Sequence, residues 1–322
     1  MLAIRIHETG GPEKLVAEEI AVPVPAAGEI RFRVGAAGLN FIDTYKRSGL
    51  YAVPLPHTLG QEAAGIVTAV GAGVTEFRAG DRVASAAVGG AYAEEAIVPA
   101  AQAVRIPDGV SAPLAAAVLL QGMTAHYLAV DTFPLKPGDS ALVHAGAGGV
   151  GLLLIQIAKK RGARVLATVG SDDKAALARG AGADAVCVYT REDFAQAARG
   201  FTGGRGVDVV YDGVGRATFE GSLNSLRPRG LLASFGNASG AVPEFKLLLL
   251  SQKGSLFVTR PTLGHYTLTR AELEARAADL FAWIADGSLH VRIGATFPLA
   301  AAAEAHRALE GRATTGKVLL LP

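Results

Sequence analysis

One cysteine, Cys187, stands in a chain of 322 residues. It can form no internal disulfide, and it cannot fill a thiolate zinc site of three or four ligands. It lies in an apolar run, Ala185 to Tyr189, where a small core residue is expected. A reducing cytoplasm suits such a chain. Aromatic residues are few, 6% of the total, and only 19% of residues are charged. The net charge is +2 with both signs interspersed, so no basic stripe marks a nucleic-acid partner and none is expected. No apolar run reaches the ~18 residues of a spanning helix, so no membrane partner is expected. Met1-Leu2-Ala3-Ile4-Arg5 leads into a strand, not a signal peptide. The histidines, His7, His57, His126, His144, His265, His290 and His306, show no paired ligand spacing.

Glycine, by contrast, is abundant, with 40 residues, and three of them carry the main motif. Ser140 to Ala145 is a short apolar run, like a buried strand. Gly146, Gly148 and Gly151 then form G-x-G-x-x-G. Val150, Leu153, Leu154 and Ile157 follow at helical spacing, and Lys159-Lys160-Arg161-Gly162 closes that helix as its dipole prefers. A second strand, Arg164 to Val169, comes next. A strand, a glycine turn and a helix in this order bring backbone N–H groups to a pyrophosphate, so the stretch predicts dinucleotide binding.

An NAD site places Asp or Glu at the end of the second strand, to hold the ribose hydroxyls. Gly170 occupies that place here, followed by Ser171-Asp172-Asp173-Lys174. In one reading Ser171 caps a helix and Lys174 is a solvated first-turn charge. In the other, Lys174 reaches the 2′-phosphate of NADPH. The missing acid favours NADPH, while Asp172 or Asp173 as a ribose ligand would argue for NADH.

The length allows two domains. The first hundred residues read as short strands, among them Leu2–Ile6, 29–34, 64–70 and 82–87, punctuated by glycines. Ser111 to Val130 reads as two helices broken at Gly122-Met123-Thr124. After Gly170, strands at 185–189, 207–211, 231–235 and 255–259 alternate with helices at 174–179, 193–199, 217–226 and 244–252. With the first two strands this predicts a six-stranded, doubly wound parallel sheet. Thr269 and Glu272 form a capping box, and Leu273, Ala277, Leu280, Phe281 and Ile284 line one face of a helix. A strand, a helix over 299–309 and Val318 to Leu321 close the chain.

Several motifs together resemble the zinc-independent quinone oxidoreductases, the zeta-crystallin-like group of the medium-chain dehydrogenase/reductase superfamily. They are Gly38-Leu39-Asn40-Phe41-Ile42-Asp43-Thr44-Tyr45 with Arg47-Ser48-Gly49, Gly60-Gln61-Glu62-Ala63-Ala64-Gly65, Gly80-Asp81-Arg82-Val83, the glycine loop, Ser234-Phe235-Gly236-Asn237, and Val258-Thr259-Arg260-Pro261. The resemblance implies an α/β protein: a GroES-like β-barrel catalytic domain, 1–124 and 263–322, around an inserted Rossmann domain, 125–262. The alcohol dehydrogenase branch has Cys where this chain has Asn40, and His where it has Gln61. Without zinc there is no Lewis acid for alcohol oxidation, and no metal is expected.

The resemblance further implies NADPH-dependent hydride (or electron) transfer to a quinone, with reduction of α,β-unsaturated ketones or aldehydes as the enzymatic alternative. A non-catalytic NADPH-binding protein, crystallin-like or RNA-associated, is the alternative of another class. Asn40, Asp43, Tyr45 and Tyr51 would surround the nicotinamide and the acceptor, with Arg260 nearby and Tyr45 as hydrogen-bond donor. On position alone Asn40 is a turn residue and Tyr45 a packing residue, and Asp43 with Arg260 can be read as a structural ion pair. The cofactor would touch Thr124, Gly148, Gly149, Val150 and Gly170. Lys174, Tyr189 and Arg312 would surround the 2′-phosphate; Arg312 can also be read as a solvated loop charge. Val214 and Gly215 would line the adenosine side. Ser234, Phe235, Gly236 and Asn237, with Phe257, Val258 and Thr259, would flank the nicotinamide. The group also implies a homodimer joined through the Rossmann domain.

Overall fold

The computed structural model describes residues 1–322. The chain divides into two units, Met1–Met123 with Thr267–Pro322, and Thr124–Tyr266.

The first unit holds β1 (Leu2–Ile6), β2 (Val16–Glu19), β3 (Glu29–Leu39), α1 (Phe41–Ser48), β4 (His57–Thr58), β5 (Glu62–Val70), β6 (Arg82–Ser85), β7 (Glu95–Pro99) and β8 (Val104–Arg105). α2 (Ala112–Tyr127) runs out of it. The tail returns as α8 (Arg270–Ala285), β15 (Ile293–Pro298), α9 (Ala302–Glu310) and β16 (Lys317–Leu321). One sheet runs β15-β16-β3-β5-β6-β8, with β7 on β3, and a smaller one runs β2-β1-β4. β3 is longer than its alternating stretch, because Ala36, Ala37 and Leu39 continue it as a strand buried against β5 and β16. Ile30, Phe32 and Val34 from β3 meet Ile4, Ile6, Leu299, Val318 and Leu320 in one core. Head and tail of the chain therefore share a sheet and a core.

The second unit holds β9 (Ser140–Val143), α3 (Gly149–Lys160), β10 (Arg164–Val169), α4 (Asp172–Gly180), β11 (Ala185–Val188), α5 (Phe194–Phe201), β12 (Val207–Asp212), α6 (Phe219–Ser225), β13 (Leu226–Ser234), α7 (Leu248–Gln252) and β14 (Phe257–Thr259). Its six strands are parallel, in the order β11-β10-β9-β12-β13-β14. The order reverses direction beside β9, which is where such sheets hold ligands. Leu142, Leu166, Val210, Leu223 and Leu232 pack the core with Cys187. Burial pushes the Cys187 thiol up to about 11, which keeps it an inert core residue. α7 is shorter than the helix expected over 244–252, and β13 begins earlier than expected, at Leu226.

Two expectations fail at α2. The helix does not break at Gly122-Met123-Thr124; it is continuous to Tyr127 and passes into a π-helical turn, Leu128–Thr132. Gly122 serves packing instead: a Cβ there would lie 2.9 Å from Val118 Cγ2 and 3.0 Å from Leu280 Cδ1 on α8. The stretch Ala112–Thr132 is also long and apolar enough to cross a bilayer, although no such run was expected, and 72% of its apolar window is buried inside the protein. It is a core helix whose apolar residues face other parts of the fold.

Gly122→Leu should therefore overpack the α2–α8 contact and lower stability by about 1–3 kcal/mol. A urea titration should show a lower midpoint at an unchanged slope. An unchanged midpoint would mean that the site accepts side chains, as a helix break would.

Candidate active site

The glycine loop joins β9 to α3 with little room to spare. Ala145 takes a left-handed φ of 51° in it. A Cβ on Gly146 would lie 2.8 Å from Ala167 Cβ on β10, and one on Gly151 would lie 2.9 Å from Gly146 Cα. Gly148 is the N-cap of α3, and no side chain caps that end. The N–H groups of Gly149 and Val150 have no intrahelical acceptor, and the dipole's positive end adds to them. This end can hold an anion, and glycine is what allows one to come close.

Past the end of β10, the chain turns at Gly170. A Cβ there would lie 2.9 Å from the Tyr189 Oη and 3.3 Å from its Cζ. The tyrosine thus stands over the point where an acidic side chain would begin. Ser171 caps α4, accepting from the Lys174 N–H at 3.4 Å, so Lys174 sits in the first turn. Asp172, one of the two rival ribose ligands, is held by Arg191 through Nη1 at 2.9 Å and Nη2 at 2.6 Å. The guanidinium holds its carboxyl below the usual carboxylate range. The corner therefore joins Gly170 to Tyr189, keeps Lys174 at the helix start and turns Asp172 to another partner.

At the carboxyl ends of β12 and β13, Asp212 organises the turn. Its Oδ1 accepts from the N–H groups of Val214 at 2.8 Å and Gly215 at 3.0 Å. Its Oδ2 accepts from Thr218 Oγ1 at 2.7 Å and Ser222 Oγ at 2.9 Å. Ser222 Oγ also lies 3.0 Å from His144 Nε2, and His144 Nδ1 lies 2.8 Å from Thr168 Oγ1. Because Ser222 gives its proton to Asp212, it must accept from Nε2–H, and Nδ1 accepts from Thr168. Burial pushes the His144 pKa down, in keeping with a neutral ring. These are the residue types of a nucleophilic triad, but here the hydroxyl proton points to the carboxylate and all three groups are buried. The chain braces the Val214–Gly215 turn. No motif in the sequence signals it.

Backbone packs on backbone beside this turn. A Cβ on Gly215 would lie 2.6 Å from Gly240 O, and the Phe235 ring lies 3.0 Å from where a Gly213 Cβ would be. Arg260 Nη1 donates to Ser234 O at 2.7 Å. With both amide groups satisfied, Asn237 accepts from Arg260 Nη2 at 3.2 Å and donates to Gly236 O at 2.9 Å. Val214, Gly215, Ser234, Phe235, Gly236, Asn237 and Arg260 thus gather at one end of the sheet. Thr259 and Val258 stand opposite Ala233 and Leu232. Phe257 does not join them: it pairs with Leu231 at the far end of β14 and is 61% exposed.

In the first unit, Asn40 and Asp43 are buried and their groups are engaged. Asn40 Nδ2 donates to Gly38 O at 3.1 Å and to Glu62 Oε2 at 2.9 Å. Its Oδ1 accepts from Lys317 Nζ at 2.8 Å and Gln121 Nε2 at 3.4 Å. Asp43 is 0% exposed. Its Oδ2 accepts from the Asn40 N–H at 2.9 Å and from Tyr92 Oη at 3.1 Å, and its Oδ1 has no partner. Burial pushes its pKa up to about 6, against the pull of the Asn40 hydrogen bond. Both side chains fix the start of α1 through these bonds. Tyr45, on α1, packs edge-on against Tyr51 with ring centroids 5.3 Å apart. Tyr51 is on the surface, Thr124 is buried inside α2, and Arg312 lies exposed after α9 at a left-handed φ of 57°.

The buried partners were missed by sequence reasoning. Tyr92 Oη lies 3.3 Å from His306 Nε2, and His306 Nδ1 lies 3.0 Å from Arg47 Nη1. Arg47 also grips Glu310 through Nη1 at 2.9 Å and Nη2 at 2.7 Å. Burial, with the Arg47 charge, pushes His306 down to about 3 and keeps it neutral. Glu62 lay within a quoted motif. Lys317 had one local signal, a charge heading a strand otherwise apolar.

Residues 26–108 match the family described as alcohol dehydrogenase GroES-like domain, and residues 149–283 the one described as zinc-binding dehydrogenase. The quinone oxidoreductase of Pseudomonas aeruginosa is 49% identical over 321 residues, 99% of each chain. The 2-haloacrylate reductase of a Burkholderia species is 42% identical, over 100% of this chain and 99% of its own. The solved structure of Escherichia coli quinone oxidoreductase complexed with NADPH superimposes with a TM-score of 0.98 at 48% identity, covering 100% of both chains. The word zinc in one of these descriptions does not fit the donors here. No three His, Cys, Asp or Glu come together in a group that could hold a metal ion. Asn40 and Glu62 are bound to an ammonium, and Gln61 Oε1 accepts from Lys46 Nζ at 2.9 Å. Shared motifs, shared fold and whole-length identity place the chain among the zinc-independent quinone oxidoreductases of the medium-chain dehydrogenase/reductase superfamily, and it belongs to that family.

Proposed function

We propose that the chain reduces quinones with NADPH, the second unit binding the cofactor and the first supplying the catalytic groups. The observation that carries the reading is the Gly170–Tyr189 contact beside Lys174, a corner suited to a 2′-phosphate and unsuited to an acid, on a chain 49% identical to a quinone oxidoreductase. NADPH, when bound, supplies the hydride. The uncapped start of α3 holds the pyrophosphate at Gly148, Gly149 and Val150, with Thr124 beside it. Lys174 and Tyr189 hold the 2′-phosphate. Val214 and Gly215, braced by Asp212, line the adenosine side. Ser234 to Asn237, Val258, Thr259 and Arg260 border the nicotinamide.

A quinone becomes aromatic as it accepts the hydride and needs little electrophilic help. The site then supplies orientation and a hydrogen bond to the oxygen that gains charge. Tyr45 is that donor, with Tyr51 against its ring, and Asn40 and Asp43 position the helix that carries it. Reduction of an activated double bond is the second reading, favoured by the 42% identity to a 2-haloacrylate reductase. The compartment is the cytoplasm, consistent with one buried thiol. The chain pairs with a second copy of itself through β14, an edge strand that pairs only with β13 and carries the exposed Phe257; Leu247 and Leu248, at the start of the preceding helix α7, are exposed as well. An apolar edge of this kind invites strand pairing.

NADPH oxidation with a panel of quinones, enones and 2-haloacrylate tests the activity. Quinones should give the highest kcat/KM. Higher values for the enones or the haloacrylate would make the second reading the main one, and binding of NADPH without turnover of any acceptor would leave a non-catalytic protein.

Lys174→Ala should raise the Kd for NADPH about 10-fold and leave that for NADH nearly unchanged. A charged hydrogen bond is worth ~1.5–3 kcal/mol net, exposure favours the low end, and a factor of ten takes ~1.4 kcal/mol. Equal weakening of both cofactors would move the lysine's role to the helix or the pyrophosphate.

Light scattering at micromolar concentration should report a dimer for the native chain and a monomer for Phe257→Asp. A native monomer would remove β14 as an interface.

A further inference from the structure

The Lys317 side chain is 1% exposed and that of Glu62 0%, with Nζ 2.5 Å from Glu62 Oε2 and 2.8 Å from Asn40 Oδ1. Glu62 Oε2 also accepts from Asn40 Nδ2 at 2.9 Å, while Oε1 accepts from the Leu120 N–H of α2 at 2.7 Å. Four elements meet at this pair: the end of β3, the start of β5, the start of β16 and the middle of α2. Room for the lysine is made by Gly38, where a Cβ would lie 2.8 Å from Lys317 Cε.

Stability alone is a weak reason for such a pair. Desolvating two charges offsets most of their attraction, and apolar residues of similar size often do as well or better. What a lysine does here that an apolar residue does not is hold the Asn40 amide. Asn40 is the N-cap of α1, its N–H is fixed by Asp43, and Tyr45 lies in the next turn. The positions of Asn40 and Gln61 are those where the zinc-dependent branch carries ligands. Here an ammonium is bound to Asn40 and to Glu62, the residue after Gln61.

We propose that Lys317 is a positioning residue for the reaction: its buried charge organises the Asn40 end of α1, and so sets Tyr45, as a resident cation would. The proposal rests on the reading of Tyr45 as the hydrogen-bond donor. It predicts that loss of the charge lowers turnover while leaving the cofactor corner in the second unit untouched.

The test compares Lys317→Met/Glu62→Gln, which removes both charges together, with Lys317→Arg, which keeps a cation between Asn40 and Glu62. Lys317→Gln reads the same quantities if the double variant does not fold. Quinone kcat should fall about 30-fold in the double variant and less than about 3-fold in Lys317→Arg, with KM and the NADPH Kd within about 3-fold throughout. Amide hydrogen exchange at residues 41–45 should quicken at least about 10-fold in the double variant alone. Unchanged exchange, or faster exchange with native kcat, would overturn the proposal, as would equal loss of kcat in both variants. If the native chain reduces no acceptor, the functional reading falls, and the exchange arm still decides whether Lys317 holds α1.

Discussion

Lys317 and Glu62 stand 255 positions apart in the chain and 2.5 Å apart in space. For that contact to form, the last strand must return to the sheet that the first hundred residues begin. β16 does so by pairing antiparallel with β3 and parallel with β15. The cost of closing so long a loop grows only slowly with its length, and the inserted unit folds around its own parallel sheet and its own core. Once the ends have met, both charges lie out of water. Removing either one alone would strand the other, at about 3–5 kcal/mol. The first unit is therefore committed to having its tail in place.

That commitment shapes the chemistry. Asn40 and Asp43 hold the start of α1 through buried hydrogen bonds. On the proposed reading, Tyr45 in the next turn is the group that meets an acceptor whose reduction is already favourable. The second unit follows a similar logic. Asp212, Ser222 and His144 hold a turn, and Arg260 holds Ser234 and Asn237. Polar side chains there fix backbone, and glycines such as Gly215 and Gly236 let one loop lie directly on the next.

Local pattern told most of the fold. The glycine loop, the parallel strands and the Thr269 capping box are features of neighbouring residues, and each is found where the pattern placed it. Gly122 misled because glycine in a helix reads as a break, while its reason is Leu280, 158 positions away, which no local window contains. Phe257 and Thr259 sit at opposite ends of a three-residue strand, a separation that a motif spanning both does not express. Asn40 and Asp43 were singled out through a motif, but a motif does not say whether a polar side chain points to solvent or into a network. The roles of Tyr92, His306 and Lys317 were hidden for the reason that hid the Gly122–Leu280 contact: the partners are distant in sequence, and single polar residues among apolar ones have no period.

The contact between Gly170 and the Tyr189 hydroxyl bears on how such a chain can drift in sequence. An acid at position 170, the ordinary route to a ribose ligand, starts 2.9 Å from the Tyr189 hydroxyl, the tip of a side chain that is 40% exposed and free to swing outward. The two positions are therefore coupled: a side chain at 170 displaces the tyrosine, so one substitution changes two groups at this corner at once.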